Sequence, residues 1–172
     1  MKKLSILFVM LFGLVLVSCV SNNVEPVEKT ITAPLFSKSF ANESTVITEN
    51  ARLRKMFDKF NKLYFNNYLK VDYIGYVPEK DLAVSEYAVE KEGYEPGYFG
   101  GFSCKFYYNG QYTVIGIADS ITNETDLGSI LLHEMIHVLF FMRDDFAENH
   151  GPNFQYKVNR INELSHNRYK VR

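Results

Sequence analysis

Residues 125–142 read TDLGSILLHEMIHVLFFM, and positions 133–137 within this stretch form an H-E-x-x-H pattern. Apolar residues surround the pattern on nearly every side of a helical projection, which is typical of a helix buried at the centre of a domain. In such a helix His133 and His137 lie one above the other on the same face, so both imidazoles can ligate one zinc ion. Glu134 can then take a proton from a water at the metal. The stretch therefore predicts a buried helix with a zinc site, rather than two ordinary core histidines.

A catalytic zinc site needs a third protein ligand and one open position. The metzincin continuation of the motif requires glycine at position 140 and histidine at position 143, but Phe140 and Arg143 stand there, so that pattern is excluded. The remaining candidate ligands are the other two histidines and the acidic residues downstream of the motif, namely His150, His166, Asp144, Asp145, Glu148 and Glu163.

His150 begins the sequence HGPNF, which precedes a second helical pattern. Pro152 suits the first position of a helix, and apolar residues then recur at Phe154, Val158 and Ile161. A polar reversal at residues 143–149 would bring this helix back antiparallel to the first, with His150 facing the histidine pair. Two alternatives stay open, His150 as a plain helix cap and Glu163 as the third ligand, and His166 is interpreted as a solvated side chain.

HEMIH followed by HGPNF resembles the SprT-like zinc metallopeptidase domain, whose members carry an HExxH and then H-G-P-x-F. The resemblance extends to FDKFNKLYFNNYL at residues 57–69, to Gly100-Gly101 and to the strand at residues 114–118, and it covers residues 43–162. It implies that His133, His137 and His150 bind Zn²⁺ and that Glu134 is the general base.

The fold class expected from these patterns and from the resemblance is α+β, a minimal zincin-like metalloprotease with a domain at residues 46–172. An apolar stripe from Leu53 to Tyr64 predicts an N-terminal helix, and VDYIGYV at residues 71–77 predicts a strand. Asn109-Gly110, between residues 98–108 and 111–119, predicts a β-hairpin. We therefore expect the N-terminal helix, a small mostly antiparallel sheet, the HExxH helix and a C-terminal helix. Residues 79–97 are expected to form an exposed acidic loop.

The N-terminus has the pattern of a targeting segment. Lys2 and Lys3 precede an apolar run at residues 4–17, which is too short to span a membrane as a mature helix. The run ends in LVSC at residues 16–19, which resembles a bacterial lipobox. We therefore interpret residues 1–18 as a lipoprotein signal peptide, Cys19 as a lipidated residue that anchors the chain to a membrane, and residues 19–45 as a flexible spacer.

Charge and cysteine content restrict the function further. Loss of Lys2 and Lys3 with the signal peptide would change the net charge from −1 (19 minus 20) to −3 (17 minus 20), which is not the basic footprint of a nucleic-acid-binding protein. Some SprT-like relatives act on DNA-bound proteins and add DNA-binding segments or a zinc ribbon, but this sequence has no C-x-x-C pair. With Cys19 lipidated, Cys104 has no disulfide partner and is expected to be a buried apolar residue.

These observations predict a monomeric zinc metallopeptidase that hydrolyses proteins or peptides outside the cytoplasm, at the bacterial cell envelope, and that binds no nucleic acid. One alternative is a zinc-stabilised lipoprotein that binds a partner without turnover, and another is a structural lipoprotein without metal. Four tyrosines are candidates for stabilising an oxyanion, and the sequence does not choose between Tyr98, Tyr107, Tyr108 and Tyr112.

Overall fold

The computed structural model describes residues 28–145 and 150–172. In chain order, the strands and α-helices are β1 (Thr30–Pro34), β2 (Ser44–Thr48), α1 (Ala51–Phe65), β3 (Tyr73–Val77), β4 (Gly101–Tyr107), β5 (Gln111–Ala118), α2 (Glu124–Phe141) and α3 (Pro152–Leu164). A 3₁₀ turn at Glu79–Leu82 and a π turn at Ala88–Glu92 lie between β3 and β4. The architecture is α+β, as the sequence predicts.

The strands form two small sheets. β1 and β2 pair antiparallel, while the second sheet has the order β3-β5-β4 with β5 in the centre. β4 and β5 are the predicted hairpin, closed around Asn109 and Gly110, both of which have positive φ. β3 is parallel to β5, and the chain between them includes β4. The sequence predicts one small, mostly antiparallel sheet, whereas the structure has two sheets. The sheet of β1 and β2 is antiparallel, and the central sheet has one antiparallel and one parallel pair of strands.

The prediction of a flexible spacer at residues 19–45 is wrong for residues 30–45, because β1 belongs to the folded domain. β1 is in register with β2 from the Thr30–Thr48 pair onward, and the side chains of Ala33 and Leu35 are buried. The sequence TITAP is short and ends in a proline, which is disfavoured inside sheets, so it gives only a weak local signal for a strand. The strand forms because it pairs with β2 and packs on β4, which is about 70 residues away in the chain.

The acidic loop predicted at residues 79–97 is also more ordered than expected. Leu82 and Ala88 in its two short helical turns are fully buried. The Ser39 hydroxyl donates a hydrogen bond of 2.6 Å to the Glu92 carboxylate, which connects this region to the segment between β1 and β2. Glu86, Glu90 and Glu95 are exposed, while the buried apolar side chains of this region pack on the core.

Helix α2 runs through the centre of the main core. The side chain of Asn123 caps its N-terminus by accepting hydrogen bonds from the backbone N–H groups of Thr125 and Asp126, at 2.8 and 3.1 Å. Its buried residues pack against α1, α3 and the central sheet. Because α2 is surrounded by packed elements, the side chains it carries are held in place on several sides.

Within the described part of the chain, no helix is both long enough and apolar enough to cross a membrane. The predicted signal peptide at residues 1–18 and the predicted lipidation at Cys19 lie outside the described residues.

Candidate metal centre

The two histidines of the H-E-x-x-H pattern project from the same face of α2. Their Nε2 atoms are 3.1 Å apart, and the ring centroids are 4.8 Å apart. The four-residue spacing on a regular helix explains this arrangement, because one helical turn brings side chains i and i+4 together. The geometry is the one that the motif predicts.

The third imidazole comes from His150, just before α3. Its Nε2 atom lies 3.2 Å from Nε2 of His133, and one ligand atom from each of His133, His137 and His150 lies within 4.8 Å of the other two. Three nitrogens bound tetrahedrally to zinc at about 2.0–2.1 Å would be separated by about 3.3 Å. The distances of 3.1 and 3.2 Å from Nε2 of His133 to the other two Nε2 atoms fit such a site.

His150 is not the cap of α3, because Gly151 occupies the N-cap position and Pro152 begins the helix. The alternative ligand Glu163 is exposed and forms an ion pair with Arg160 at 3.2 Å, away from the histidine cluster. His166 is exposed, as expected of a solvated side chain. Asp144 accepts a hydrogen bond of 2.7 Å from the Lys105 ammonium group. Of the candidates that the structure describes, only His150 joins the histidine pair.

Burial favours neutral imidazoles in this cluster. It lowers the pKa of His137 to about 3, and the neighbouring rings of His133 and His150 contribute to the shift. Burial likewise lowers the pKa of His133 and of His150, and the hydrogen bond to the backbone oxygen of Arg172 opposes the shift at His133. A neutral imidazole offers a lone pair, which is the form that binds a metal.

Phe154 forms the floor beneath the three imidazoles. It is fully buried, and its ring centroid lies 5.0 Å from that of His133, 4.7 Å from that of His137 and 4.8 Å from that of His150. The ring therefore limits how far each imidazole can rotate. This packing explains why an aromatic residue belongs in the HGPNF segment.

The carboxylate of Glu134 is almost completely buried beside the cluster. Burial raises the pKa of Glu134 to about 7, and a hydrogen bond from the Ser103 hydroxyl to Oε2 at 2.8 Å opposes that shift. Ser103 reaches Glu134 because β4 lies close against α2. A Cβ atom at Gly100, which precedes β4, would lie only 2.8 Å from Cδ1 of Ile130.

Among the residues that the structure describes, two openings lead to this site. One is a cleft of about 230 Å³ that contains all three histidines, and the other is a groove of about 780 Å³ that extends from His133 and Glu134 along the N-terminal half of α2. Tyr94 lines the cleft, whereas Tyr98, Tyr107, Tyr108 and Tyr112 line neither opening.

Sequence reasoning missed Ser103. A serine one residue before Cys104 has no pattern that points to a helix 31 residues later, and only the β4–α2 contact reveals it. Cys104 itself is buried, and burial with the nearby Glu134 carboxylate raises its thiol pKa to about 12. A thiol with such a pKa is not a nucleophile at neutral pH, which agrees with the expected apolar role.

Comparison with known proteins gives one positive result. A family model described as the SprT-like family matches residues 53–172. No curated protein and no solved structure matches the chain. The matched region begins in α1, includes the three histidines and Glu134, and extends ten residues past the resemblance seen in the sequence. The chain therefore belongs to the SprT-like family.

Proposed function

We propose that this chain is a zinc-dependent metallopeptidase that hydrolyses peptide bonds at the bacterial cell envelope. The observation that carries the proposal is the convergence of three imidazole Nε2 atoms beside the buried carboxylate of Glu134. A purely structural zinc site has no use for a carboxylate that is not a ligand. Membership of the SprT-like family supports the same reaction class.

His133, His137 and His150 would hold the zinc ion, which when bound supplies a Lewis acid that polarises a carbonyl oxygen and acidifies water. The Glu134 carboxylate takes the proton of the attacking water and later delivers it to the leaving amine as the C–N bond breaks. Burial raises the pKa of Glu134 to about 7 in the metal-free site, and a cation bound nearby would favour the carboxylate form that accepts the proton. The Ser103 hydroxyl donates a hydrogen bond to Oε2, which restrains the carboxylate and leaves Oε1 as the oxygen for proton transfer.

The groove beside Glu134 is the proposed substrate channel. Gly100 and Gly101 line it, and β4 is an edge strand of the central sheet. An extended peptide could add to such an edge through main-chain hydrogen bonds, which gives affinity with little dependence on side chains. We propose a protein or peptide substrate, a monomeric enzyme and no nucleic-acid partner.

The proposed location depends on the sequence alone. The apolar run at residues 4–17 and the LVSC ending support export and lipidation of Cys19. A lipidated terminus would confine the enzyme to proteins near the membrane surface.

The test is zinc content together with hydrolysis of a denatured, fluorescently labelled protein by the full chain in detergent. We expect about one zinc per chain and a hydrolysis rate that a chelator abolishes and added zinc restores. Glu134→Gln should retain the zinc and lose at least 100-fold in rate, because the amide cannot take up the proton. His150→Ala should lose the zinc, while the control His166→Asn, which tolerates the left-handed backbone at that position, should keep both zinc and rate.

Each outcome separates the candidate functions. Zinc binding without hydrolysis in the parent would favour a zinc-stabilised binding lipoprotein, and the absence of zinc would overturn the metal centre itself. Hydrolysis by Glu134→Gln at the parental rate would exclude Glu134 as the base.

A further inference from the structure

The residues that follow α3 return along α2 to the histidine cluster. We call residues 165–172 the return segment. His166 and Asn167 both have left-handed backbone conformations, with φ of 51° and 56°, and they reverse the chain at the end of α3. Tyr169 and Val171 are then buried, with 6% and 3% of their surfaces exposed. The return segment is thus packed into the core rather than free in solvent.

Asn162 of α3 holds this segment by two hydrogen bonds to a single residue. Its Nδ2 atom donates to the backbone oxygen of Val171 at 3.0 Å, and its Oδ1 atom accepts from the backbone N–H of Val171, also at 3.0 Å. The side-chain amide therefore pairs with the backbone as a neighbouring strand would. One residue earlier, the backbone N–H of Lys170 donates to the Ser129 hydroxyl on α2 at 3.1 Å.

The next residue reaches the candidate metal centre. The backbone oxygen of Arg172 lies 2.6 Å from Nδ1 of His133. This backbone oxygen carries no hydrogen and only accepts, so the contact requires a proton on Nδ1 of His133. In the neutral ring, Nε2 then carries the lone pair, and Nε2 is the atom that faces His137 and His150.

We propose that Asn162 is a positioning residue for the candidate metal centre. By fixing Val171, it holds the backbone oxygen of Arg172 against Nδ1 of His133. This contact sets the tautomer and the ring orientation of His133. The inference rests on the proposed function only where it concerns zinc, because the effect on the imidazole exists without metal. Partners of this kind typically change metal affinity by about 10–100-fold when they are removed.

The test compares Asn162→Ala with Asn159→Ala in the full chain. Asn159 is exposed on the same helix, so its substitution controls for the change in helix propensity. The first readout is zinc affinity by competition with a chromophoric chelator. We expect about 10–100-fold weaker binding for Asn162→Ala, and a change of less than about threefold for Asn159→Ala.

The second readout is the tautomer of His133, measured by ¹⁵N NMR of the imidazole rings in metal-free protein. We expect the parent and Asn159→Ala to show His133 protonated on Nδ1, and Asn162→Ala to show a mixture of tautomers. A general loosening of the fold would broaden many signals, whereas the proposal predicts a change confined to this ring and its neighbours.

Several results would overturn the inference. These are an unchanged tautomer in Asn162→Ala, parental zinc affinity in that variant, or an equal loss of affinity in Asn159→Ala. If the parent binds no zinc, the proposed function fails, and the NMR comparison still decides the role of Asn162 on its own.

Discussion

Replacing Gly128 by alanine tests whether the return segment constrains α2. Glycine within a helix costs about 1 kcal/mol relative to alanine, so helix propensity alone predicts that Gly128→Ala stabilises the protein by about that amount. The tertiary structure predicts the opposite sign, because Gly128 lies directly under the ring of Tyr169.

The size of the effect follows from the packing around Gly128. A Cβ atom there would lie 2.5 Å from Cε1 and 2.7 Å from Cδ1 of Tyr169, and 3.4 Å from Cζ of Phe60. The Tyr169 ring is buried with its edge against Phe60, at a centroid distance of 5.0 Å, so it has little room to move. Overpacking of this kind costs about 1–3 kcal/mol. After the gain of about 1 kcal/mol in propensity, the net destabilisation should be about 0–2 kcal/mol.

A double-mutant cycle separates the two contributions. In the Tyr169→Ala background the clash is absent, so adding Gly128→Ala should now increase the free energy of unfolding by about 1 kcal/mol. The assay is equilibrium unfolding in urea with a chelator present, so that zinc binding does not contribute to stability. Stabilisation by about 1 kcal/mol in the parental background would refute the reasoning, because it would show that the ring moves away at no cost.

Two further predictions concern Lys105 and Glu49. Lys105→Met should destabilise the fold by about 1–2 kcal/mol, measured by unfolding in urea. The reason is that the mostly buried ammonium group of Lys105 donates a hydrogen bond of 3.2 Å to the carbonyl of Phe141, the last residue of α2. Asp144→Asn should destabilise the fold less, since the Asp144 carboxylate is mostly exposed. Burial alone would raise the pKa of Glu49, but hydrogen bonds from Arg54 and the backbone of Ile74 lower it below its ordinary 4.5. Its stabilisation is therefore present above pH 4.5 and lost as the pH falls further. Glu49→Gln should reduce stability at pH 6, and the difference from the parent should shrink below pH 4.5; a difference independent of pH would contradict the assignment.

Much of the site could be predicted because its signals are local. The positions of His133, Glu134 and His137 follow from the spacing of one helical turn, and the β4–β5 hairpin follows from Asn109-Gly110. The prediction of His150 as the third ligand required more than local signals, since the residues alone left Glu163 as an alternative. The resemblance of HGPNF to the SprT-like pattern favoured His150, and the structure places it in the cluster.

The sequence by itself determined the α+β class, the helix that carries the H-E-x-x-H pattern and the identity of its chemical groups, because helical periodicity and turn preferences act between neighbouring residues. Tertiary structure alone decided that β1 belongs to the domain, that Ser103 contacts Glu134 and that the Arg172 carbonyl contacts His133. The Ser103–Glu134 and Arg172–His133 contacts join residues 31 and 39 positions apart, and the pairing of β1 with β2 depends on backbone atoms. Every residue has a backbone oxygen, so no pattern of side chains shows which of these oxygens the packing brings to His133.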